Sequence, residues 1–355
     1  MPRELGRQIG DAAGEQVRGF CEIALERVNR TVKISHTRAM EIARRSQMFA
    51  EAYRPDLVEE LRGTAEAAGV SLDDMMLLQV RNQLTAEPDA GCTSLSYALP
   101  DQSTVVAQTW DNDPVLDEFT IVLTRRPTGR PATMTCTQAG LISYMGFSET
   151  GIGACVNTLP VPSRPVGVPH YFILREVLEA NSLDAAVAAV ARAERSIPVN
   201  IMLATPQGPA DLEVTLERVH VLRPDQTAWL GHSNHCLCQE LMPINDQFPE
   251  LIQSFARKQR IDELLETMET HLLSVRQDSS VESSEWRLAL QRVLRDHQNH
   301  PRSICRHVND DPGHGFWCTV FALIIEPQNL CMHITRGNPC EREFEFYRLP
   351  QGLSP

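Results

Sequence analysis

Apolar residues recur at helical spacing through roughly the first 85 positions, and at strand spacing directly afterwards. Leu57, Val58, Leu61 and Ala65 form one stripe, and Gly69 is placed to end that helix. Ser71-Leu72-Asp73-Asp74 has the form of an N-cap followed by acidic first-turn residues. Met75, Met76, Leu77, Leu78 and Val80 predict a short, strongly apolar helix. Residues 85–90, polar and broken by Pro88, predict a loop.

From residue 92 the period falls to two. Strands are predicted at 95–97, 104–108, 119–124, 133–136, 141–145 and 151–156, with turn signals at Pro100-Asp101 and Pro127-Thr128-Gly129. Two helices follow, at 171–180 and 182–194. Strands return at 199–205, 211–216, 219–222 and 228–230. Residues 251–297 read as helical and highly charged, with faces in solvent or covering a partner subunit. The last strands are 318–326, 330–335 and 344–348. Strict βαβα alternation is missing, so the order predicts an α+β chain with two antiparallel sheets between helical layers, an αββα sandwich.

Composition narrows the functional classes. Of 355 residues 42% are hydrophobic, enough for a sizeable core, and the formal net charge of -13 argues against nucleic acid and anionic membranes as partners. The start of the chain lacks the apolar stretch of a secretory leader, and no segment has the length of a membrane span. A cytoplasmic location with reduced thiols is therefore expected. Most of the ten cysteines are expected to be small buried hydrophobes.

Cys92 stands apart. Gly91-Cys92-Thr93-Ser94 sits where helices give way to strands, and Gln108-Thr109-Trp110-Asp111 follows on the next strand. A glycine before a nucleophile lets the backbone strain and lets sulfur reach the preceding carbonyl. An N-to-S acyl shift gives a thioester, and water completes the cut between Gly91 and Cys92. The freed α-amine, with an ordinary pKa of about 7.7–8.0, is then a base for the thiol beside it.

These motifs, together with residues 140–157, His232-Ser233-Asn234-His235-Cys236 and Ser303-Ile304-Cys305-Arg306, resemble the isopenicillin-N acyltransferase family of self-processing N-terminal-nucleophile enzymes. The chain is more distantly similar to penicillin V acylases and bile-salt hydrolases. The resemblance implies a helical propeptide or α fragment, 1–91, and a catalytic β fragment, 92–355, held as a heterodimer. It implies Cys92 as nucleophile, Asp111 as the group orienting the new α-amine, and Asn234 as oxyanion donor. Arg306 would favour thiolate and fix Asp111. Ser94, Trp110, His235 and Ser303 are supporting positions. Ser94 departs from the threonine expected of fungal members, and the end Gly352-Leu353-Ser354-Pro355 from their peroxisomal address.

The expected substrate is a small-molecule amide or thioester, and no metal or organic cofactor is required. Hydrolysis of an N-acyl or aminoacyl amide is the first reading, and acyl transfer from coenzyme A or another donor the second. Other readings of the residues stay open. Asp111-Asn112-Asp113-Pro114 is also good turn chemistry, Asn234 can cap a loop, and Arg306 can be a surface charge. His232, His235, Cys236 and Cys238 admit a zinc reading, and with it a zinc-binding or non-catalytic protein on the same fold, although one residue between the cysteines is too few for common zinc pairs.

Overall fold

The computed structural model describes residues 1–30, 32–84, 91–247, 253–275, 285–312 and 315–350. The chain opens with four helices: α1 (Pro2–Val28), α2 (His36–Tyr53), α3 (Pro55–Ala68) and α4 (Leu72–Val80). Gly69 ends α3 in the left-handed region, φ 74°, which a side chain there would disfavour. Ser71 Oγ accepts from the Asp74 amide at 3.0 Å, and Asp74 reaches back to the Ser71 amide, a capping box that starts α4. The predicted loop 85–90 lies outside the described residues.

Among the described residues thirteen strands form two antiparallel sheets. Six belong to the first, in the order β10 (Trp229–His232), β1 (Cys92–Ala98), β2 (Thr104–Asn112), β11 (Cys318–Glu326), β12 (Cys331–Arg336), β13 (Glu345–Arg348). Seven form the second, from β3 to β9 in chain order: Thr120–Arg125, Thr133–Gln138, Met145–Ser148, Gly153–Thr158, Val199–Thr205, Gly208–Val214 and Val219–Leu222. β1 and β2 stack on β6, β7 and β8. Helices α5 (His170–Leu178) and α6 (Leu183–Ala191) cover the seven-stranded sheet, and α7 (Ser254–Val275) and α8 (Glu285–Leu294) the six-stranded one. This is the expected αββα sandwich. No helix among the described residues is long and apolar enough to cross a membrane.

Two local readings change. Of the apolar run 141–145 only Met145 is in a strand, as the first residue of β5. Gln79, buried on α4, donates to Gly140 O (2.8 Å) and accepts from the Ile142 amide (3.1 Å). A side chain therefore satisfies backbone groups that a strand neighbour would otherwise pair. The charged stretch 251–297 is also more than a solvated face. Ile261, Leu265, Met268 and Leu272 of α7, with Trp286, Leu290 and Val293 of α8, bury an apolar stripe against Leu95, Val105, Ala107 and Ile324.

The N-terminal helices are anchored by buried polar groups as well as by the core. Glu60 of α3 accepts from Arg125 (2.9 Å) and Arg175 (3.3 Å), all three nearly inaccessible. Tyr53 donates to Ala189 O (2.8 Å), and Arg54 pairs with Glu176 and, at 3.1 Å, with Glu179. Leaving any of these buried charges without its partner is costly, so this interface is specific as well as apolar.

Candidate active site

Cys92 is the first residue of β1 and is 1% exposed. Antiparallel pairing sets Cys92 opposite Trp110, and Asp111 on β2 opposite Thr319 on β11. The ladder extends one residue past the strand end. The Asp111 amide donates to Gly91 O at 2.8 Å, while the Cys92 amide donates to Asn234 Oδ1 at 3.0 Å. The Gly91–Cys92 peptide is thus gripped on both sides, its carbonyl by a donor and its nitrogen by an acceptor.

Asp111 is as buried as Cys92. Its Oδ1 accepts from Thr319 Oγ1 (2.7 Å), and its Oδ2 has no hydrogen-bond donor among the described residues. Burial pushes its carboxyl up to about 7, against the pull of the Arg306 and Arg257 guanidiniums and the Thr319 bond. Burial, and next the Asp111 charge, push the Cys92 thiol up to about 12. The sulfur therefore holds its proton at neutrality, within the field of a carboxyl that titrates there.

Asn234 lies in the loop after β10. Its Nδ2 donates to Thr158 Oγ1 (3.1 Å) and Thr158 O (3.3 Å), so its oxygen, and not its amide N–H, faces Cys92. The loop is held from several sides. Ser254 Oγ accepts from the Asn234 amide (2.8 Å), and Asn157 Nδ2 donates to Ser233 O (2.7 Å). His232 Nε2 lies 2.8 Å from Glu213 Oε1. Burial alone lowers the His232 pKa, but Asp211 and Glu213 outweigh it and hold it raised. Glu213 also accepts from the Leu237 amide (2.5 Å) and the Cys238 amide (2.9 Å).

Arg306 is buried, not a surface charge. Its amide donates to Thr319 Oγ1 (2.9 Å), its Nε to Trp317 O (3.2 Å), and its charge acts on Asp111. Ser94 accepts from Asn157 Nδ2 (3.0 Å), Ser303 donates to Cys305 O (2.6 Å), and Trp110 stacks on Phe321 (4.9 Å between ring centroids). His235 Nδ1 lies 2.8 Å from Ser254 Oγ. Each of the four thus makes a contact within its own loop or with a neighbouring element. His232, His235, Cys236 and Cys238 do not converge on a common point. Their donors face Glu213, Ser254, an apolar cluster with Leu159 and Leu241, and His220, respectively.

Arg257 escaped the sequence reading. It is 2% exposed, in the first turns of α7. Nη1 donates to Cys92 O and to Thr93 Oγ1 (2.8 Å), and Nη2 to Asn234 Oδ1 (2.7 Å). One planar guanidinium thus ties the carbonyl of Cys92 to the asparagine that holds its nitrogen. A signal was present. Arg257, Ile261 and Leu265 are four residues apart, so a charge continues the apolar stripe that α7 buries.

The profile of the family described as acyl-coenzyme A:6-aminopenicillanic acid acyl-transferase matches residues 99–341. The chain is 25% identical over 349 residues to the 40 kDa form of acyl-coenzyme A:6-aminopenicillanic-acid-acyltransferase from Emericella nidulans, covering 95% of this chain and 91% of the relative. Penicillin V acylase from Agrobacterium tumefaciens superposes with a TM-score of 0.48 at 11% identity, covering 69% of this chain and 83% of its own. A variant of conjugated bile acid hydrolase from Clostridium perfringens gives 0.49 at 13% identity, covering 74% of this chain and 99% of its own.

Proposed function

The chain belongs to the acyl-coenzyme A:6-aminopenicillanic acid acyltransferase family, and on that premise we propose that it is a self-processing cysteine amidohydrolase or acyltransferase, cut between Gly91 and Cys92. The grip on both sides of that peptide, by the Asp111 amide and Asn234 Oδ1, carries the proposal. The same amide N–H that bonds Gly91 O in the ground state is placed to stabilise the oxyanion when sulfur attacks the carbonyl carbon.

Processing needs a base other than the α-amine, which does not yet exist. Asp111, titrating near 7, suits the task. Its carboxylate takes the thiol proton, Sγ bonds to the Gly91 carbonyl carbon, and the C–N bond breaks as the Cys92 nitrogen takes a proton. Water then hydrolyses the thioester, leaving a carboxylate on Gly91 and a free thiol and α-amine on Cys92. The amine stays against Asn234 Oδ1, with Asp111 Oδ2 open to it. Residues 1–91 remain attached through the Glu60 and Arg54 ion pairs, giving a heterodimer of two fragments.

In the mature enzyme the amine draws the proton from Sγ, and the thiolate attacks a substrate amide or thioester carbonyl. The leaving amine or thiol takes a proton, and water or an acceptor amine removes the acyl group from Cys92. Hydrolysis of a small N-acyl or aminoacyl amide is the first choice of reaction. Transfer from an acyl-coenzyme A thioester, the donor in the matched family's name, is the second. Donation from Asn234 Nδ2 to the substrate oxyanion requires that nitrogen to leave Thr158.

Intact-mass measurement on wild type and Cys92→Ala tests the reading. Two fragments split at Cys92 are expected only from wild type. A split Cys92→Ala protein, or an intact wild type that still turns over N-acyl amides, overturns it.

A further inference from the structure

On the far side of the segment that carries Arg306, four soft donors meet. His297 follows α8, Cys305 and His307 flank Arg306, and Cys340 lies in the turn after β12. One donor atom from each falls within 4.8 Å of all the others. Cys305 Sγ is 3.5 Å from Cys340 Sγ and 3.7 Å from His307 Nε2. Cys340 Sγ is 3.5 Å from His307 Nε2, which is 3.1 Å from His297 Nε2.

These four separations match four of the six edges of one coordination tetrahedron, and the other two lie within 4.8 Å. Zn–S bonds of about 2.3 Å and Zn–N bonds of about 2.0–2.1 Å at tetrahedral angles place S···S at about 3.8 Å, S···N at about 3.6 Å and N···N at about 3.3 Å. Each measured edge lies within a few tenths of an ångström of these. Three donors come from residues 297–307, and the fourth is brought by the fold. Asn338, two residues before Cys340, donates from Nδ2 to Cys305 Sγ (3.4 Å) and to Arg306 O (2.7 Å). That is the outer-shell support expected of a thiolate ligand.

We propose that His297, Cys305, His307 and Cys340 form a structural zinc(II) site that ties the Arg306 segment to the turn after β12. With all four positions filled by protein, the ion is structural and takes no substrate. Binding zinc displaces the thiol protons of Cys305 and Cys340 to solvent, leaving two thiolates and two neutral imidazoles on the ion. The site is separate from Cys92 and does not depend on the reaction proposed for it.

The test is the zinc content of the full chain, purified without a metal-affinity tag or chelator, by elemental mass spectrometry. Roughly one zinc per chain is expected in wild type, and about tenfold less in Cys340→Ser and in His297→Ala. Cobalt(II) in place of zinc should give the visible bands of a tetrahedral thiolate complex in wild type and lose them in Cys340→Ser. A second readout is thermal unfolding, with wild type melting lower after metal is stripped and recovering when zinc is returned. Three results overturn the site: wild type without zinc or a cobalt spectrum, full zinc retention by a folded Cys340→Ser, or a Cys305–Cys340 disulfide, seen as a non-reduced mass lighter by two hydrogen atoms.

Discussion

Arg257 donates to the carbonyl oxygen of Cys92, and through its other terminal nitrogen to Asn234 Oδ1 at 2.7 Å. The Cys92 backbone is thus fixed by a residue 165 positions away, on a helix from the outer layer. Removing that guanidinium leaves three polar acceptors without their charged donor. Arg257→Ala should slow processing and lower kcat by about 10²-fold with little change in KM, because the loss falls on the geometry of attack. Arg257→Lys should recover only a small part, since a point charge cannot span the three acceptors. Unchanged processing in Arg257→Ala, followed by fragment appearance on denaturing gels, would remove Arg257 from this role.

Asp111 sets a pH dependence. Burial first, opposed by Arg306, Arg257 and the Thr319 bond, leaves its carboxyl near 7, and the Cys92 thiol beside it is pushed up to about 12. If the carboxylate is the processing base, the cleavage rate should climb through pH 7 and level above it. The stability sign runs the other way. A carboxyl whose folded pKa is raised stabilises the fold fully below about pH 4, and that contribution is lost as pH rises through about 7. Asp111→Asn should therefore abolish cleavage, and its melting temperature relative to wild type should be higher at pH 8 than at pH 5. A flat pH–rate profile from pH 5 to 8 would exclude Asp111 as the base.

Asn234 presents its two ends to different partners, and two variants separate them. Asn234→Asp keeps an acceptor for the Cys92 nitrogen, so some processing should survive. It lacks the N–H donor, so turnover by the mature enzyme should drop about 10²–10³-fold. Asn234→Ala should lose both. Full turnover in either variant would mean that the oxyanion is stabilised elsewhere.

Glu60 balances Arg125 and Arg175 at the interface between the N-terminal helices and the rest of the chain. Glu60→Ala leaves Arg125 without a carboxylate partner, while Arg175 keeps Glu179 (2.6 Å), and should cost roughly 3–5 kcal/mol. The measurement is chemical denaturation of Cys92→Ala, which is expected to stay uncut, with and without the second change. A loss below about 1 kcal/mol would show that water reaches the site and that the network does not hold the fragments together.

The sequence settled what depends on near neighbours along the chain. Periodicity set the helices and most strands, because each reports one face of a local element. Gly91-Cys92 marked a candidate nucleophile, because a glycine before a thiol at a strand start is a local feature. Contacts between distant segments emerge only once the chain is folded. Folding kept 141–144 out of the sheet, with Gln79 bonded to the backbone there, turned Arg257 inward, pointed the oxygen of Asn234 at Cys92, and brought Cys340 to Cys305 and His307. Each of those is a contact between elements far apart in sequence, and no local period carries the position of a side chain on the opposite layer.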